Sequence, residues 1–173
     1  LLDTLSRYGE KRGTSLPSLK RVISCGAPVS PAVIGRTKKM LAPGTEVYTP
    51  YGATEALPVS CVSGSELASL KPGLPGICVG KTWEGMETFI IKISDGPIPV
   101  WSDGLLAGKD EIGEITVKGP VVSPEYFGRE ENTSLARIRG PGGELYHRMG
   151  DTGWKDAEGR LWFCGRKSHR VVT

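Results

Sequence analysis

Apolar positions along the first seventy residues follow two periods in turn. Leu1, Leu2, Leu5 and Tyr8 fall at helical spacing and run into Gly9 and Gly13, which predicts the end of an amphipathic helix. The next apolar run, LKRVIS from Leu19 to Ser24, contains the β-branched pair Val22 and Ile23 and predicts a short buried strand. It leads into Cys25-Gly26-Ala27-Pro28. Ser30 is placed to cap a helix that begins at Pro31, and Val33, Ile34, Thr37, Met40 and Leu41 carry the helical period to the breaker Pro43-Gly44. Glu46 to Thr49 predicts a second short strand, ending in the turn-prone stretch Pro50-Tyr51-Gly52. Strand, loop, helix, strand and loop in that order is the arrangement of an α/β sheet. Ligands in such sheets gather at the carboxyl ends of strands, where CGAP and YGATE both fall.

After about Leu70 the pattern changes. Pro72-Gly73, Pro75-Gly76, Asp95-Gly96 and Asp103-Gly104 separate short apolar runs such as FIIKI (89–93) and EITVKG (114–119), which predicts antiparallel β structure, a small barrel or sandwich. ELYHRMGD and GRLWFCGR flank Asp156-Ala157-Glu158-Gly159, a turn sequence with Asp at its opening and Gly where φ turns positive. One helix, about Glu130 to Ile138, interrupts the strands.

Composition narrows this picture without redirecting it. The 173 residues are 38% apolar and 24% charged, and 22 basic against 19 acidic residues leave a net charge of +3, spread along the chain. That suits one globular core and gives no electrostatic argument for nucleic acid. No apolar run reaches the ~20 residues that cross a bilayer, and no leader-like segment opens the sequence. The four cysteines, Cys25, Cys61, Cys78 and Cys164, form no CxxC pair, so they are expected as reduced, mostly buried thiols of a cytoplasmic protein. The chain begins with Leu1, and Val171, Val172 and Thr173 read as a strand cut short, so an internal piece of a longer protein is expected.

Candidate chemistry lies in three places. GICVGKT (76–82) ends like a phosphate-binding loop, but Pro75 stands where the first Gly is required. YTPYGATEALPV (48–59) offers an aromatic face, a glycine for close backbone approach, a hydroxyl and a carboxylate able to hold Mg²⁺. Taken alone it reads better as a turn with a capping Thr-Glu, since a hydroxyl residue and Glu near a turn are common. YHRMGDTGW (146–154) puts Asp151 between two glycines at an expected strand end, where it could accept from two sugar hydroxyls, with Arg166 of FCGRKSHRV donating to the same sugar. A β-turn Asp and a surface Arg would look the same. Only His147 and His169 are available, which argues against a histidine metal cluster.

The order GAP, YGATE, GEITVKG, YHRMGD, GRKSHRV resembles the ordered core motifs of the adenylate-forming superfamily, which includes acyl-CoA synthetases, luciferases and peptide-synthetase adenylation domains. The resemblance implies the distal part of such an enzyme's large N-terminal domain: an α/β segment at 1–70, a β-rich, barrel-like subdomain at 71–165, and at 166–173 the start of a hinge to a C-terminal domain. It implies that Gly26, Ala27 and Pro28 line adenine, with Tyr51 and Gly52 beside it. Thr54 would bond the α-phosphate, Glu55 would hold the Mg²⁺ of ATP, Asp151 and Arg166 would take the ribose, and Lys167 would stand at the hinge. ATEALPV, HRMGD and WFCGRKSHRV are most similar to the subgroup that makes β-lactones in bacterial olefin biosynthesis.

For that subgroup the implied partners are ATP and a long-chain β-hydroxy fatty acid, whose own hydroxyl displaces AMP. A fatty acyl-CoA synthetase, which adds CoA as partner, is the alternative within the enzyme class. A non-catalytic nucleotide-binding module is the alternative outside it. The family's triphosphate-wrapping loop lies upstream of these motifs and its C-terminal lysine beyond them, so the chain alone is expected to catalyse neither step, and to self-associate through apolar surface or be only marginally stable.

Overall fold

The computed structural model describes residues 1–170; the strand expected at Val171, Val172 and Thr173 lies outside them. The chain forms two compact units, Leu1–Tyr51 with Cys61–Leu74, and Gly52–Ser60 with Pro75 onward. Helices with parallel strands make up the first unit and antiparallel strands most of the second, a mixed α/β architecture.

In the first unit, α1 (Leu2–Arg12) passes through Gly9 and stops at Gly13, which adopts the left-handed conformation at φ 61°. Gly9 is needed inside the helix because a Cβ there would collide with the buried Met40 side chain. Strand β1 (Arg21–Ile23), expected to be buried, has Arg21 and Ile23 exposed and only Val22 half-buried; it pairs in parallel with β2 (Glu46–Ala53), Val22 opposite Val47. Between them runs α2 (Pro31–Lys39), whose first turn is capped by Ser30 Oγ accepting from the Val33 N–H. Ile34, Val47 and Val62 are buried in this unit.

Two elements went unread in the sequence: β3 (Ala56–Ser63) and α3 (Gly64–Ser69). The helix opens with a capping box, Ser63 and Glu66 exchanging side-chain bonds to each other's backbone N–H. Pro50-Tyr51-Gly52, expected to turn, instead continues β2, and the reversal falls at Thr54-Glu55. Gly52 lies so close to the returning strand that a Cβ would come within 2.5 Å of the Ala56 carbonyl oxygen.

The second unit is antiparallel: β4 (Ile77–Thr82) pairs with β9 (Arg160–Arg166), which pairs with β8 (Leu145–Lys155), then β6 (Gly113–Lys118), then β5 (Glu87–Ile91). The GKT sequence is therefore strand, and no phosphate loop forms there. The expected helix near 130–138 is shorter, α4 (Glu130–Ala136), because Arg137–Arg139 leaves it as β7 to pair with β8. Ile91, Ile138 and Tyr146 form a core with Phe89, Ile98, Trp101 and Leu105, and the Trp101 and Tyr146 rings stack at 4.1 Å. The 156–159 turn forms as expected: Asp156 accepts from the N–H groups of Glu158 and Arg160, and Gly159 has φ 74°.

The cysteines are thiols, but only Cys78 is buried; Cys25 is exposed, in the loop after β1, and Cys61 and Cys164 are half-buried. Among the described residues no helix is long and apolar enough to cross a membrane.

Ile115 on β6 is fully buried. Ile115→Ala removes packed methyl groups and should lower unfolding free energy by about 2–5 kcal/mol, read as a fall in the urea midpoint.

Candidate functional site

A cavity of about 560 Å³ opens in the second unit. Its wall includes His147, Arg148, Met149 and Gly150, four consecutive residues of one strand. A regular strand would send alternate residues to opposite faces. Gly150, at φ 67°, breaks that alternation, and a register shift follows between Thr152 and Gly153. Asp151 thus lies inside β8, not at a strand end as the flanking glycines suggested.

Asp151 is buried and stands in register with Arg166 of β9, whose Nη1 donates to Asp151 Oδ1 at 2.9 Å. The two residues are brought together as a cross-strand ion pair. Arg166 is the exposed member, at 55% for its side chain, and lines the cavity.

Glu55 lines the opposite sequence end of the same cavity, directly after the exposed Thr54 in the β2–β3 turn. The Tyr126 hydroxyl donates to Glu55 Oε1 at 2.7 Å, and the Ser123 N–H donates to the Glu55 backbone oxygen at 2.8 Å. That phenol bond holds the Glu55 carboxyl below the usual carboxylate range in spite of partial burial, with help from the positive charge of Arg137. Burial and the same carboxylate push the Tyr126 phenol up.

Behind Tyr126 lies Arg137, its guanidinium 5.1 Å from the ring centroid. Arg137 Nε donates to the Ser123 carbonyl and Nη2 to Ser123 Oγ, both at 3.0 Å, and Nη1 bonds His147 Nδ1. A guanidinium can only donate, so His147 Nδ1 accepts and the ring proton is on Nε2. The Ala136 carbonyl, 3.2 Å from Nδ1, is then served by Arg137 Nη1 at 3.3 Å. Burial first, and the Arg137 charge second, lower His147 to a pKa of about 4, so it is neutral at physiological pH.

A second ionic cluster lies on the cavity wall. Arg148 and Glu114 are both 1% exposed and paired, Nη2 to Oε2 at 2.7 Å. Lys167 Nζ reaches the other oxygen, Glu114 Oε1, at 3.0 Å and donates to the Ser94 carbonyl at 3.0 Å. Arg148 also donates to the carbonyls of Ser94, Gly96 and Leu135. With Arg129 and Arg166, four basic side chains and two carboxylates face the cavity, a balance that attracts anions. Among the described residues no group of three or more His, Cys, Asp or Glu could hold a metal unaided.

Gly26, Ala27 and Pro28 are exposed in the loop after β1, and Tyr51 is half-buried in β2; all four belong to the first unit. Glu114, His147 and Arg148 were inside motifs already singled out, without a role. Tyr126 had no signal at all, since it lies in the Pro- and Gly-flanked segment GPVVSPEYFG.

The chain belongs to the AMP-binding enzyme family, whose model matches residues 1–127. It is 45% identical over 177 aligned residues to the olefin beta-lactone synthetase of Stenotrophomonas maltophilia (strain K279a), covering 98% of this chain and 32% of that protein. The olefin beta-lactone synthetase of Xanthomonas campestris pv. campestris is 43% identical, covering 100% of this chain and 32% of that one. The chain thus spans about a third of the length of these relatives. Among solved structures, a long-chain-fatty-acid-CoA ligase (FadD1) from Archaeoglobus fulgidus superimposes with a TM-score of 0.74 at 25% identity, over 95% of this chain and 32% of that one. O-succinylbenzoate Coenzyme A Synthetase (MenE) from Bacillus subtilis, solved in complex with AMP, gives 0.72 at 25% identity, over 98% and 31%.

His147 supplies a pH test. Its folded pKa is depressed below its ordinary 6.5, so the unfolded chain binds the extra proton first, and stability falls as pH drops from about 6.5 to 4. The shift corresponds to about 3 kcal/mol. His147→Asn, which can still accept from Arg137, should flatten that slope in urea unfolding between those pH values. An unchanged slope would mean His147 is not its source.

Proposed function

We propose that this chain is part of an ATP-dependent, AMP-forming acyl-adenylating enzyme that activates a long-chain β-hydroxy fatty acid and closes it to a β-lactone. The observation that carries this reading is 45% identity across nearly the whole chain to an olefin beta-lactone synthetase. The cationic cavity containing Glu55 and Arg166 supports it, since a nucleotide triphosphate is a polyanion.

In this reading Gly26, Ala27 and Pro28 line adenine, with Tyr51 and Gly52 beside it. Asp151 accepts from the ribose hydroxyls while Arg166, already paired with it, donates to the same sugar. Thr54 donates to an α-phosphate oxygen. Glu55 is one of two carboxylates at the cavity, and the other, Glu114, is taken up by Arg148 and Lys167; one remaining carboxylate fits Mg²⁺ that arrives with its phosphates and takes one protein ligand better than a self-sufficient protein metal site. Bound there, Mg²⁺ would neutralise charge on the phosphates as the acid carboxylate attacks the α-phosphorus and pyrophosphate leaves.

The activated acyl group then carries AMP as its leaving group. The β-hydroxyl oxygen bonds to the acyl carbon, the carbon–oxygen bond to AMP breaks, and the hydroxyl proton is released. Holding both groups in one molecule makes this closure intramolecular, which is where its rate advantage arises. Lys167 stands at the hinge to a C-terminal domain, residues 1–70 and 71–165 act as the α/β and β-rich parts of one larger domain, and the enzyme works in the cytoplasm.

The likeness to a long-chain-fatty-acid-CoA ligase favours a second reading, in which CoA is the acceptor. The full-length enzyme supplied with a long-chain β-hydroxy acid, ATP and Mg²⁺ but no CoA should release AMP and a β-lactone, identified by mass spectrometry. A strict requirement for CoA with a thioester as product would select the second reading.

In the same enzyme, Asp151→Ala should weaken AMP binding by about 1.5–3 kcal/mol, the range for a bond to a charged group. The loss should shrink for an analogue lacking the ribose hydroxyls. Equal losses for both nucleotides would make Asp151 purely structural.

A further inference from the structure

Glu55 is held from two sides by one segment of chain. The segment's Ser123 N–H donates to the Glu55 backbone oxygen at 2.8 Å, and three residues later the Tyr126 hydroxyl donates to Glu55 Oε1 at 2.7 Å. The two contacts fix different parts of the residue. The first sets the position of its backbone in the β2–β3 turn, and the second sets the rotation of its carboxylate toward the cavity.

The segment is itself immobilised. Tyr126 N–H donates to Thr133 Oγ1 at 3.0 Å, and Thr133 Oγ1 donates in turn to the carbonyl of Arg129, the residue before α4, at 2.9 Å. Arg137 holds the Ser123 carbonyl and hydroxyl at 3.0 Å each and lies over the Tyr126 ring. A glutamate side chain in a turn samples many rotamers and loses that freedom only when something fixes it. Here a phenol on a rigid ring does so, and the phenol in turn rests on a buried arginine.

We infer that Tyr126 is a positioning residue for Glu55: with its backbone held by Thr133 and its ring by Arg137, its hydroxyl presents the Glu55 carboxylate to the divalent cation that accompanies ATP. The inference rests on the reading of Glu55 as a Mg²⁺ ligand. Tyr126 touches neither the cation nor the reacting atoms. Its effect is to leave one carboxylate oxygen engaged and orient the group, as outer-shell partners do for metal ligands, where losing them costs about 10–100-fold in metal affinity.

The test uses the full-length enzyme and reads metal binding directly. Mn²⁺ is titrated into enzyme and ATP, with free Mn²⁺ followed by electron paramagnetic resonance, and half-saturating Mg²⁺ is measured in acid-dependent pyrophosphate–ATP exchange. Tyr126→Phe should weaken Mn²⁺ binding about ten-fold and raise half-saturating Mg²⁺ to match, with the KM for the acid unchanged. In a Glu55→Gln background the same change should have less than about a two-fold effect, because the ligand it orients has already lost its charge.

Wild-type Mn²⁺ affinity in Tyr126→Phe, with weakened binding in Glu55→Gln, overturns the inference and leaves the Glu55 reading intact. Wild-type affinity in Glu55→Gln overturns the Glu55 reading itself. Should Tyr126→Phe lower the urea midpoint, Thr133→Val, which removes the acceptor of the Tyr126 N–H, carries the test. A drop of about three-fold in Mn²⁺ affinity is then expected, with Thr133→Ser unchanged, and no drop overturns the inference.

Discussion

The buried carboxylate of Glu114 is the constraint around which the second unit is arranged. A charge at 1% exposure persists only if opposite charge and hydrogen bonds replace the water it has lost, and removing a partner from such a pair typically costs about 3–5 kcal/mol. Glu114 has two cationic partners, Arg148 and Lys167. Arg148 spends its remaining donors on the carbonyls of Ser94, Gly96 and Leu135. One carboxylate on β6 therefore fixes β8, the 94–96 loop, the C-terminal turn of α4 and the residue that follows β9. Each of these contributes to the cavity or borders it.

The surplus of positive charge is a consequence of this arrangement. Two cations on one carboxylate leave one unit of charge uncompensated near the wall, and Arg129 adds to it, while the charge of Arg166 is met by Asp151. Such a field favours a polyanionic ligand, whereas the Glu55 carboxyl is held down chiefly by its bond from Tyr126. His147 contributes shape without charge, because its burial beside Arg137 holds it neutral. The cavity thus separates its two jobs: cations supply the field, while the neutral His147 and the Tyr126 phenol determine where individual groups point.

The strand β8 connects the two networks. His147 and Arg148 are neighbours in sequence, yet one joins Arg137 and the other joins Glu114. Gly150 then redirects the chain so that the following residue, Asp151, meets Arg166 across the ladder. A side chain at 150 would be strained at φ 67°, so the backbone course that leads into the Asp151–Arg166 pair favours glycine at that position.

The sequence by itself determined the elements with strong local signals. The capped helix at Pro31, the strands around Val22, Val47 and Ile115, and the Asp156–Gly159 turn each follow from residues whose preferences are satisfied within a few positions. Family membership was also legible, because motif order survives in the chain without reference to space. Tertiary structure decided the rest. Tyr51-Gly52 looks like a turn and is strand because the returning β3 needs the space that only glycine leaves at 52. Asp151 looks like a strand end and lies within β8 because a bulge accommodates its glycines. Tyr126 carried no motif, and its place against Glu55, 71 residues away in sequence, arises from packing. Local propensity reads interactions between near neighbours, whereas burial, charge pairing and the aim of a side chain depend on partners that only the folded chain brings together.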